Sequence, residues 1–325
     1  MAVMTYREAL NLAMREEMDR DENVFLIGED IGIYQGTYRV TAGLYEKYGP
    51  NRVWDSPISE PGVVGLATGS AMVGLRPVIE MMTFSFAILA LDQTMNHAAK
   101  MLSMSGGQFN VPMVIRGPAG AGRQLSAQHT HSLESWFAHC PGLKVVMPFT
   151  PADAKGMLKT AIRDDNPVIF MEHGWLYGVR GEVPEDPEFL VPFGVASIQK
   201  EGSDVTIIAY SRMVIEAMKA AERLENQGIH AEVIDLRSIL PLDDEAIYSS
   251  IKKTHRAVVV QEEWRNVGFA AEISARIQEN CFDELDAPVE RVCGLNVPTP
   301  YARNLDKLVF PVEQDIFNAA MKVLA

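Results

Sequence analysis

Short apolar runs alternate with helix-forming stretches almost from end to end of this chain of 325 residues. Runs of about four to eight residues that are rich in valine and isoleucine are typical of strands buried on both faces. Regular alternation of strand and helix predicts mostly parallel sheets flanked by helices, which is an α/β fold. The runs cover residues 24–28, 77–82, 111–116, 144–149, 167–172, 205–210, 231–236 and 258–260.

Local signals indicate where several helices begin and end. Thr5 followed by Glu8 forms the capping-box pattern of a helix N-terminus. Thr150 and Pro151 open a second helix, since threonine caps the first turn and proline is tolerated there. Gly228 is predicted to be the left-handed cap of a helix that ends near residue 226.

The composition changes near residues 178–200, where glycines and prolines lie among acidic residues. Such a stretch is typical of a connection between domains. With 47% hydrophobic residues, the chain has enough apolar side chains for two cores. We therefore predict a first domain over residues 1–178, a connection over 179–200 and a second domain over 201–325.

The charge balance argues against nucleic acid as a partner. The chain carries 43 acidic and 29 basic residues, a net charge of −14. Phosphate binding needs a basic surface, which this balance does not favour. An acidic charge balance is compatible with a basic protein partner. It is equally compatible with a surface whose charges only keep the protein soluble.

The three cysteines, Cys140, Cys281 and Cys293, are odd in number and unclustered. This spacing suits free thiols in a reducing cytosol and offers no zinc or iron–sulfur ligand set. The first residues lack the charged and apolar regions of a signal peptide, and no apolar run is suited to span a bilayer. We therefore expect a cytoplasmic protein without a membrane partner.

Residues 57–75 place one carboxylate, Glu60, at the mouth of a helix built from glycine and alanine. Each helical glycine costs roughly 1 kcal/mol relative to alanine, so close approach of another backbone or a flat ligand is expected. The helix dipole stabilises a carboxylate at this end, where it could share a proton with a ligand. The alternative is a simple N-terminal charge on a tightly packed helix.

Open parallel sheets bind ligands beyond the carboxyl ends of their strands. Glu29 follows the first predicted strand, and Phe84 and Phe86 follow the second. The two rings could stack on a planar ligand or fill the core. The glycine-rich loop at residues 116–123 follows the third strand; it could contact an anion, although it matches neither the P-loop nor the dinucleotide fingerprint.

Two further segments carry polar groups suited to chemistry. His129 and His131 lie on a predicted loop and could act in acid–base catalysis, whereas a metal site would need a third ligand that is not apparent. The helix end at residues 161–167 offers free carbonyls beside Asp164 and Asn166, which suits a hard cation or an ordinary polar turn. Covalent protein nucleophiles find little support, since the chain has no Gly-x-Ser-x-Gly elbow.

Together these segments resemble the β subunits of the thiamine diphosphate-dependent components of 2-oxo acid dehydrogenase complexes. The resemblance runs from end to end of the chain, so it is more specific than any single motif. It is carried by GED (28–30), PISEPG (57–62), GLRP (74–77), MTF (82–84), DQ (92–93), SGG (105–107), RGP (116–118), QH (128–129), HCPGLKV (139–145), DAKG (153–156), AIRDDNP (161–167), YSR (210–212), VIDLR (233–237), DAP (286–288) and VPTPY (297–301).

The resemblance implies a transketolase-like pyrimidine-binding domain followed by a transketolase C-terminal-like domain. Glu60 would hydrogen-bond the pyrimidine ring nitrogen of the cofactor and favour the tautomer that deprotonates the thiazolium carbon. Phe86 would stack on that ring, and Glu29 would belong to the surrounding carboxylate network. His129 would lie on the substrate side and assist acyl transfer. His131 stands where the family pattern has glutamine or another polar residue, so the division of labour between the two histidines stays open.

The resemblance also implies cations and a partner. Met113, Ala161, Ile162, Asp164 and Asn166 match a potassium site formed mostly by main-chain oxygens. The chain lacks the Gly-Asp-Gly segment and following asparagines with which similar enzymes hold magnesium and the cofactor diphosphate. This half of the thiamine diphosphate site is therefore expected from an α subunit in an α2β2 assembly, and the chain alone is expected to be inactive.

The implied reaction is decarboxylation of a 2-oxo acid and transfer of the acyl group to the lipoyl arm of a dihydrolipoyl acyltransferase component. The second domain would serve assembly and docking. Pyruvate is the favoured substrate; branched-chain 2-oxo acids and acetoin are the alternatives, because one or two methylenes change binding by only about 1–3 kcal/mol. The chain length and the missing magnesium motif disfavour a self-sufficient transketolase-like enzyme. The unclustered cysteines disfavour a ferredoxin-linked oxidoreductase. The joint presence of Glu60, Phe86 and His129 disfavours a non-catalytic α/β binding module.

Overall fold

The computed structural model describes residues 1–120 and 124–325. The chain forms two compact units. The first contains Met1–Ala119 and Trp136–Phe193, and the second contains Gly120–Ser135 and Gly194–Ala325. Of the glycine-rich loop predicted at residues 116–123, residues 121–123 lie outside the described residues.

Fourteen strands occur in the described ranges. They are β1 (Ala2–Thr5), β2 (Val24–Gly28), β3 (Val53–Asp55), β4 (Arg76–Glu80), β5 (Val114–Ala119), β6 (Lys144–Val146), β7 (Val168–His173), β8 (Arg180–Val183), β9 (Ser197–Lys200), β10 (Val205–Ala209), β11 (Ala231–Asp235), β12 (Ser238–Leu240), β13 (Ala257–Trp264) and β14 (Glu290–Gly294). Each of the eight predicted apolar runs overlaps one of these strands, so these predictions are confirmed.

The α-helices of the described ranges are α1 (Tyr6–Arg20), α2 (Leu44–Tyr48), α3 (Glu60–Met72), α4 (Met101–Met104), α5 (Glu134–Ala138), α6 (Pro151–Arg163), α7 (Met213–Glu225), α8 (Asp244–Thr254), α9 (Phe269–Cys281), α10 (Arg303–Asp306) and α11 (Glu313–Leu324). Tighter 3-10 turns cover Phe84–Ala90, Ala127–His129, Leu176–Gly178 and Phe282–Glu284, and Asp92–Ala98 is a π-helix. In the part of the chain that the structure describes, no helix is long and apolar enough to cross a membrane.

The first unit is built on a parallel sheet in the order β6-β7-β5-β4-β2-β3. Its strands are fully buried in the centre, as their continuous apolar sequence predicts. The register aligns Gly28 of β2 with Glu80 of β4, and Glu80 with Arg116 of β5. The carboxyl ends of these strands therefore meet at one edge, where ligands of such sheets bind.

Helices α1 and α6 pack against each other in the first unit. The capping box of α1 forms as predicted, with the Thr5 side chain accepting from the Glu8 amide. Two fully buried lysines of α6, Lys155 and Lys159, form ion pairs with Glu16 of α1 at 2.8 and 2.5 Å. This pairing provides the opposite charge that a buried ammonium group needs.

The second unit has a five-stranded sheet in the order β14-β13-β10-β11-β9. Its strands are parallel except for β9, which pairs antiparallel with β11. Helices α7 and α11 contact each other, and so do α8 and α9. Gly228 adopts the predicted left-handed conformation beyond α7, with φ of 78°. Both sheets are thus mostly parallel and flanked by helices, as predicted.

The division of the chain differs in detail from the predicted domains. Residues 120–135 belong to the second unit although they lie within the segment predicted as the first domain. The predicted connection at 179–200 contains β8, which pairs with β1, and β9, which joins the sheet of the second unit. Both differences arise from contacts between residues that are far apart in sequence, which local composition does not reveal.

Candidate functional site

Glu29 lies directly after β2, at the carboxyl edge of the first sheet. Its side chain is half-buried. Burial raises the pKa of Glu29, and the neighbouring charges of Glu60 and Asp30 raise it further. The carboxyl groups of Glu29 and Glu60 therefore interact electrostatically, and the charge of Glu60 makes ionisation of Glu29 less favourable.

Glu60 is the first residue of α3, and Ser59 is its N-cap. Its side chain is only 8% exposed. Within residues 1–120 and 124–325, no side chain or amide donates a hydrogen bond to its carboxylate. A carboxylate at this position is stabilised by the helix dipole and is an acceptor for a ligand that carries an N–H group.

Two phenylalanines follow β4, and the structure separates their roles. Phe84 is fully buried and packs edge-to-face on Phe137, with ring centroids 5.7 Å apart. Phe86 lies two residues further on in the same 3-10 turn and is half-buried. Phe84 therefore fills the core, whereas Phe86 is a less buried ring of the kind that can contact a planar ligand.

Helix α3 presents a face of small and apolar residues. At Gly65, an added Cβ would make an ordinary 3.6 Å contact with the Gln93 side chain of the adjacent π-helix, so packing inside the unit does not require glycine there. At Gly69, an added Cβ would meet nothing within 4 Å. Leu66 on the same helix and Val73, its C-cap, are 49% and 79% exposed. This face is open, although its composition is typical of a packed interface.

A buried charge cluster joins three strands of the same sheet. Arg116 is 1% exposed and forms a two-pronged ion pair with Glu172 of β7, with one of its nitrogens 2.7 Å from Oε2. It also donates to Glu80 of β4, and Tyr177 donates to Glu172 at 2.6 Å. The placement of Arg116 on an anion-binding loop was wrong, because this residue lies inside β5 and its guanidinium neutralises buried carboxylates.

The two candidate histidines lie in the second unit. His129 ends a 3-10 turn and is exposed, whereas His131 is half-buried and packs on Trp264 with ring centroids 5.8 Å apart. Burial lowers the pKa of His131, and the charge of His129 lowers it further. His131 is therefore favoured as the neutral imidazole at physiological pH.

A cavity of about 280 Å³ adjoins this loop in the second unit. His131 and Trp264 line it together with Ala127 and the segment 296–299. Neither Trp264 nor this segment was predicted as part of a site. The VPTPY motif, which overlaps this segment, contributed to the family resemblance but was not assigned to a site. Sequence spacing alone does not show that segment 296–299 contacts the loop of His131.

The predicted potassium ligands lie around the C-terminus of α6. The carbonyl of Ala161 accepts from the amide of residue 164, and those of Ile162 and Asp164 accept from Arg76 at 3.0 and 3.1 Å. Burial would raise the pKa of Asp164, but hydrogen bonds from Lys144 and Asn166 outweigh it and lower the pKa. Four of the five predicted residues thus form one turn.

The fifth predicted residue, Met113, lies just before β5. Its carbonyl accepts from the amide of Val168 at 2.9 Å, which ties it to the strand that follows the turn. Every carbonyl oxygen has a second lone pair, so a hard cation could share these oxygens with the hydrogen bonds named. In the described ranges, no group of three or more histidine, cysteine or acidic side chains could hold a metal ion.

Comparison with protein families identifies two matches. Residues 2–179 match the transketolase pyrimidine-binding domain. Residues 194–316 match the transketolase C-terminal domain. A split-gene transketolase solved as an inactive β4 tetramer has the same fold, with a TM-score of 0.81 over 99% of this chain and 98% of that chain at 24% identity.

Similar proteins of known function share about half of the sequence. The chain is 52% identical to the pyruvate dehydrogenase E1 component subunit beta of Rickettsia felis, over 98% of each chain. It is 51% identical to the mitochondrial subunit beta-1 of Arabidopsis thaliana, over 98% of this chain and 89% of that protein. It is 50% identical to the subunit beta of Rhizobium meliloti, over 99% of this chain and 70% of that protein.

Proposed function

This chain belongs to the family of pyruvate dehydrogenase E1 β subunits, and we propose that it forms one half of a thiamine diphosphate site whose other half comes from an α subunit. The chain is a component of the thiamine diphosphate-dependent enzyme that oxidatively decarboxylates pyruvate. The observation that carries the proposal is the half-site in the first unit. A buried carboxylate and a ring suited to a pyrimidine lie beside an open helix face.

The residues of the first unit fit the pyrimidine end of this cofactor. Glu60 is a buried carboxylate that accepts no hydrogen bond from the described residues. It would share a proton with the ring nitrogen through a hydrogen bond, while Glu29 lies in the surrounding carboxylate network and Phe86 packs on the ring face. When bound, thiamine diphosphate would supply the nucleophilic carbon and the electron sink for decarboxylation.

The α subunit is the proposed occupant of the open face of α3. Leu66, Gly69 and Val73 expose apolar surface on the helix that begins with Glu60, so a partner seated there would also cover the cofactor site. The α subunit would bring the groups for magnesium and the diphosphate, for which the chain has no matching motif. The proposed assembly is α2β2.

The proposal predicts that activity needs both subunits. The purified chain, the α subunit and their mixture are assayed with thiamine diphosphate, magnesium and an artificial electron acceptor. We expect decarboxylation of pyruvate by the mixture only, with lower rates on 3-methyl-2-oxobutanoate and on acetoin cleavage. Activity of the chain alone would contradict the half-site, and preference for either other substrate would contradict the assignment of pyruvate.

The second unit would serve the acyl transfer step and docking. His129 is exposed on its loop, where it could hold or donate a proton to the lipoyl sulfur during transfer. The dihydrolipoyl acyltransferase component is the proposed acceptor and docking partner, and the net charge of −14 favours a basic docking domain. A reducing, cytoplasmic compartment is part of the proposal and is supported by three free thiols in the described ranges.

A potassium ion would be held by the turn after α6, through main-chain oxygens of Met113, Ala161, Ile162 and Asp164 with Asn166 beside them. Its role would be structural, since it would join β5 to the end of α6. The positively charged guanidinium of Arg76 already donates hydrogen bonds to two of these oxygens, the carbonyls of Ile162 and Asp164. The arginine and the ion would therefore compete in part for the same carbonyls.

This competition makes the potassium proposal testable. Replacing tetramethylammonium by K⁺ at equal ionic strength should raise the free energy of unfolding, by about 2.7 kcal/mol at a hundredfold excess over the Kd. Arg76→Met should enlarge this K⁺-dependent increase, because one competing cation is removed. Arg303→Met, at an exposed arginine of the second unit, is the control. An equal K⁺ effect in all three proteins would place the ion elsewhere.

A further inference from the structure

A cluster of buried carboxyl groups lies beneath the histidine-bearing loop of the second unit. Glu134, the residue that follows this loop, is 1% exposed, and Glu263 of β13 is 4% exposed. Tyr210 donates a hydrogen bond to Glu134 Oε1 at 3.0 Å. Within the described ranges, Glu134 Oε2 is buried and has no hydrogen-bond partner.

The two carboxyl groups connect the loop to the sheet. Ser135 donates to Glu263 Oε2 at 2.5 Å, and the amide of Phe269 donates to the same oxygen at 3.1 Å. Trp264, next to Glu263 on the strand, packs on His131. The C-terminal end of the loop is thus fastened to β10 through Tyr210 and to β13 through Glu263.

The surroundings of the cluster favour uncharged carboxyl groups. Burial raises the pKa of Glu134 well above its usual range, and the charge of Glu263 adds to this effect. Burial raises the pKa of Glu263 to about 7, although hydrogen bonds from Ser135 and Phe269 oppose it. The other titratable groups that face the cluster are Tyr210, Glu262, Cys293 and, through Glu262, Arg212 and Asp306.

We propose that Glu134 and Glu263 are positioning residues that seat residues 124–133 and thereby make the placement of His129 and His131 depend on pH. Neither carboxyl group needs to touch substrate for this role. The inference rests on the proposed function only for the role of the two histidines in acyl transfer. The seating of the loop stands on contacts within the second unit alone.

The direction of the pH dependence follows from the two protonation states. A seated Glu263 keeps its proton up to about pH 7, whereas a released one loses it near the ordinary value of 4.5. Release of the loop therefore becomes easier as pH rises between these values, by about tenfold per pH unit for each such carboxyl group. Above pH 7 the contribution of Glu263 no longer changes, because it is ionised in both states.

Hydrogen–deuterium exchange of the full chain between pH 5 and 7 tests the proposal without cofactor or partner. After correction for the chemical exchange rate, we expect the opening of residues 124–135 to rise more steeply with pH in the wild type than in Glu263→Gln. The difference should be about tenfold per pH unit, because glutamine mimics the uncharged acid but cannot lose a proton. Glu279→Gln, at an exposed glutamate of α9, is the matched control and should keep the wild-type slope.

Equal slopes in the wild type and Glu263→Gln would overturn the proposal. Glu134→Gln provides the same comparison at the second carboxyl group if the first variant does not fold. In the mixture with the α subunit, the pH profile of acyl transfer to lipoamide should lose its limb near pH 7 in Glu263→Gln. A changed exchange slope without any activity in the mixture would keep this inference and reject the proposed function.

Discussion

Replacing Glu60 by glutamine is expected to lower the decarboxylation rate of the mixed subunits by about 10²–10⁴-fold. Glutamine keeps the size of the side chain and its place at the first position of α3. It cannot share a proton with a ring nitrogen, because its amide does not ionise. The rate is measured as kcat with pyruvate at saturating cofactor.

The Glu60→Gln result should not come from unfolding. The lost interaction of a charge with the helix dipole is worth only about 0.3–1 kcal/mol. Glu313→Gln is a matched control, since Glu313 is also the first residue of a helix, and it should keep full activity. Residual activity of Glu60→Gln above about a tenth of the wild type would contradict the assigned role.

A second readout of Glu60→Gln needs no turnover. The charge of Glu60 is one of the causes that raise the pKa of Glu29, after burial. Removing this charge should move the pKa of Glu29 downward while burial keeps it above the ordinary value. An isotope-edited infrared titration of the glutamate carboxyl groups, compared between wild type and variant, would detect the change. An unchanged titration of Glu29 would mean that the two carboxyl groups do not interact.

Replacing Arg116 by methionine is expected to destabilise the chain by about 3–5 kcal/mol. Arg116 is the cation paired with two buried carboxylates, Glu80 and Glu172. Without it, the carboxylates repel each other in a site that water does not reach. The loss is measured as the fall in the free energy of unfolding by urea at pH 8.

The deficit of Arg116→Met should shrink as the pH falls. Burial already raises the pKa of Glu80, and removal of the arginine takes away the charge that opposes this. A raised carboxyl pKa contributes stability that is lost as pH rises. Arg276→Met is the control, because Arg276 forms ion pairs near the surface that are worth less than about 1 kcal/mol. An equal fall in the free energy of unfolding in both variants would show that the buried cluster stabilises the chain no more than surface ion pairs do.

The strands and helix caps were predictable because they depend on neighbouring residues. The run at residues 24–28 and the capping box at Thr5 needed only local patterns, and both formed as predicted. The places of Glu29 and Glu60 were also predictable from local sequence, since one follows a strand and the other opens a helix. That burial and mutual charge raise the pKa of Glu29 required the folded structure.

The remaining features depend on partners that are distant in sequence. The predicted strand at 111–116 and the predicted loop at 116–123 share Arg116, and Glu172, which neutralises it, lies 56 residues away. Residues 120–135 belong with the second unit, and Glu263, which binds Ser135, lies 128 residues away. Neither pairing leaves a periodic or compositional trace, so single-sequence reasoning could not have found them.

The ion pairs between α1 and α6 also determine which amines of the protein can react. Lys155 and Lys159 have no exposed surface, and Glu16 and nearby carbonyls surround their ammonium groups. Acetyl donors in solution meet the exposed lysines first and reach this pair only when the two helices separate. Acetylation of Lys155 or Lys159 would therefore show that α1 and α6 had separated in that molecule.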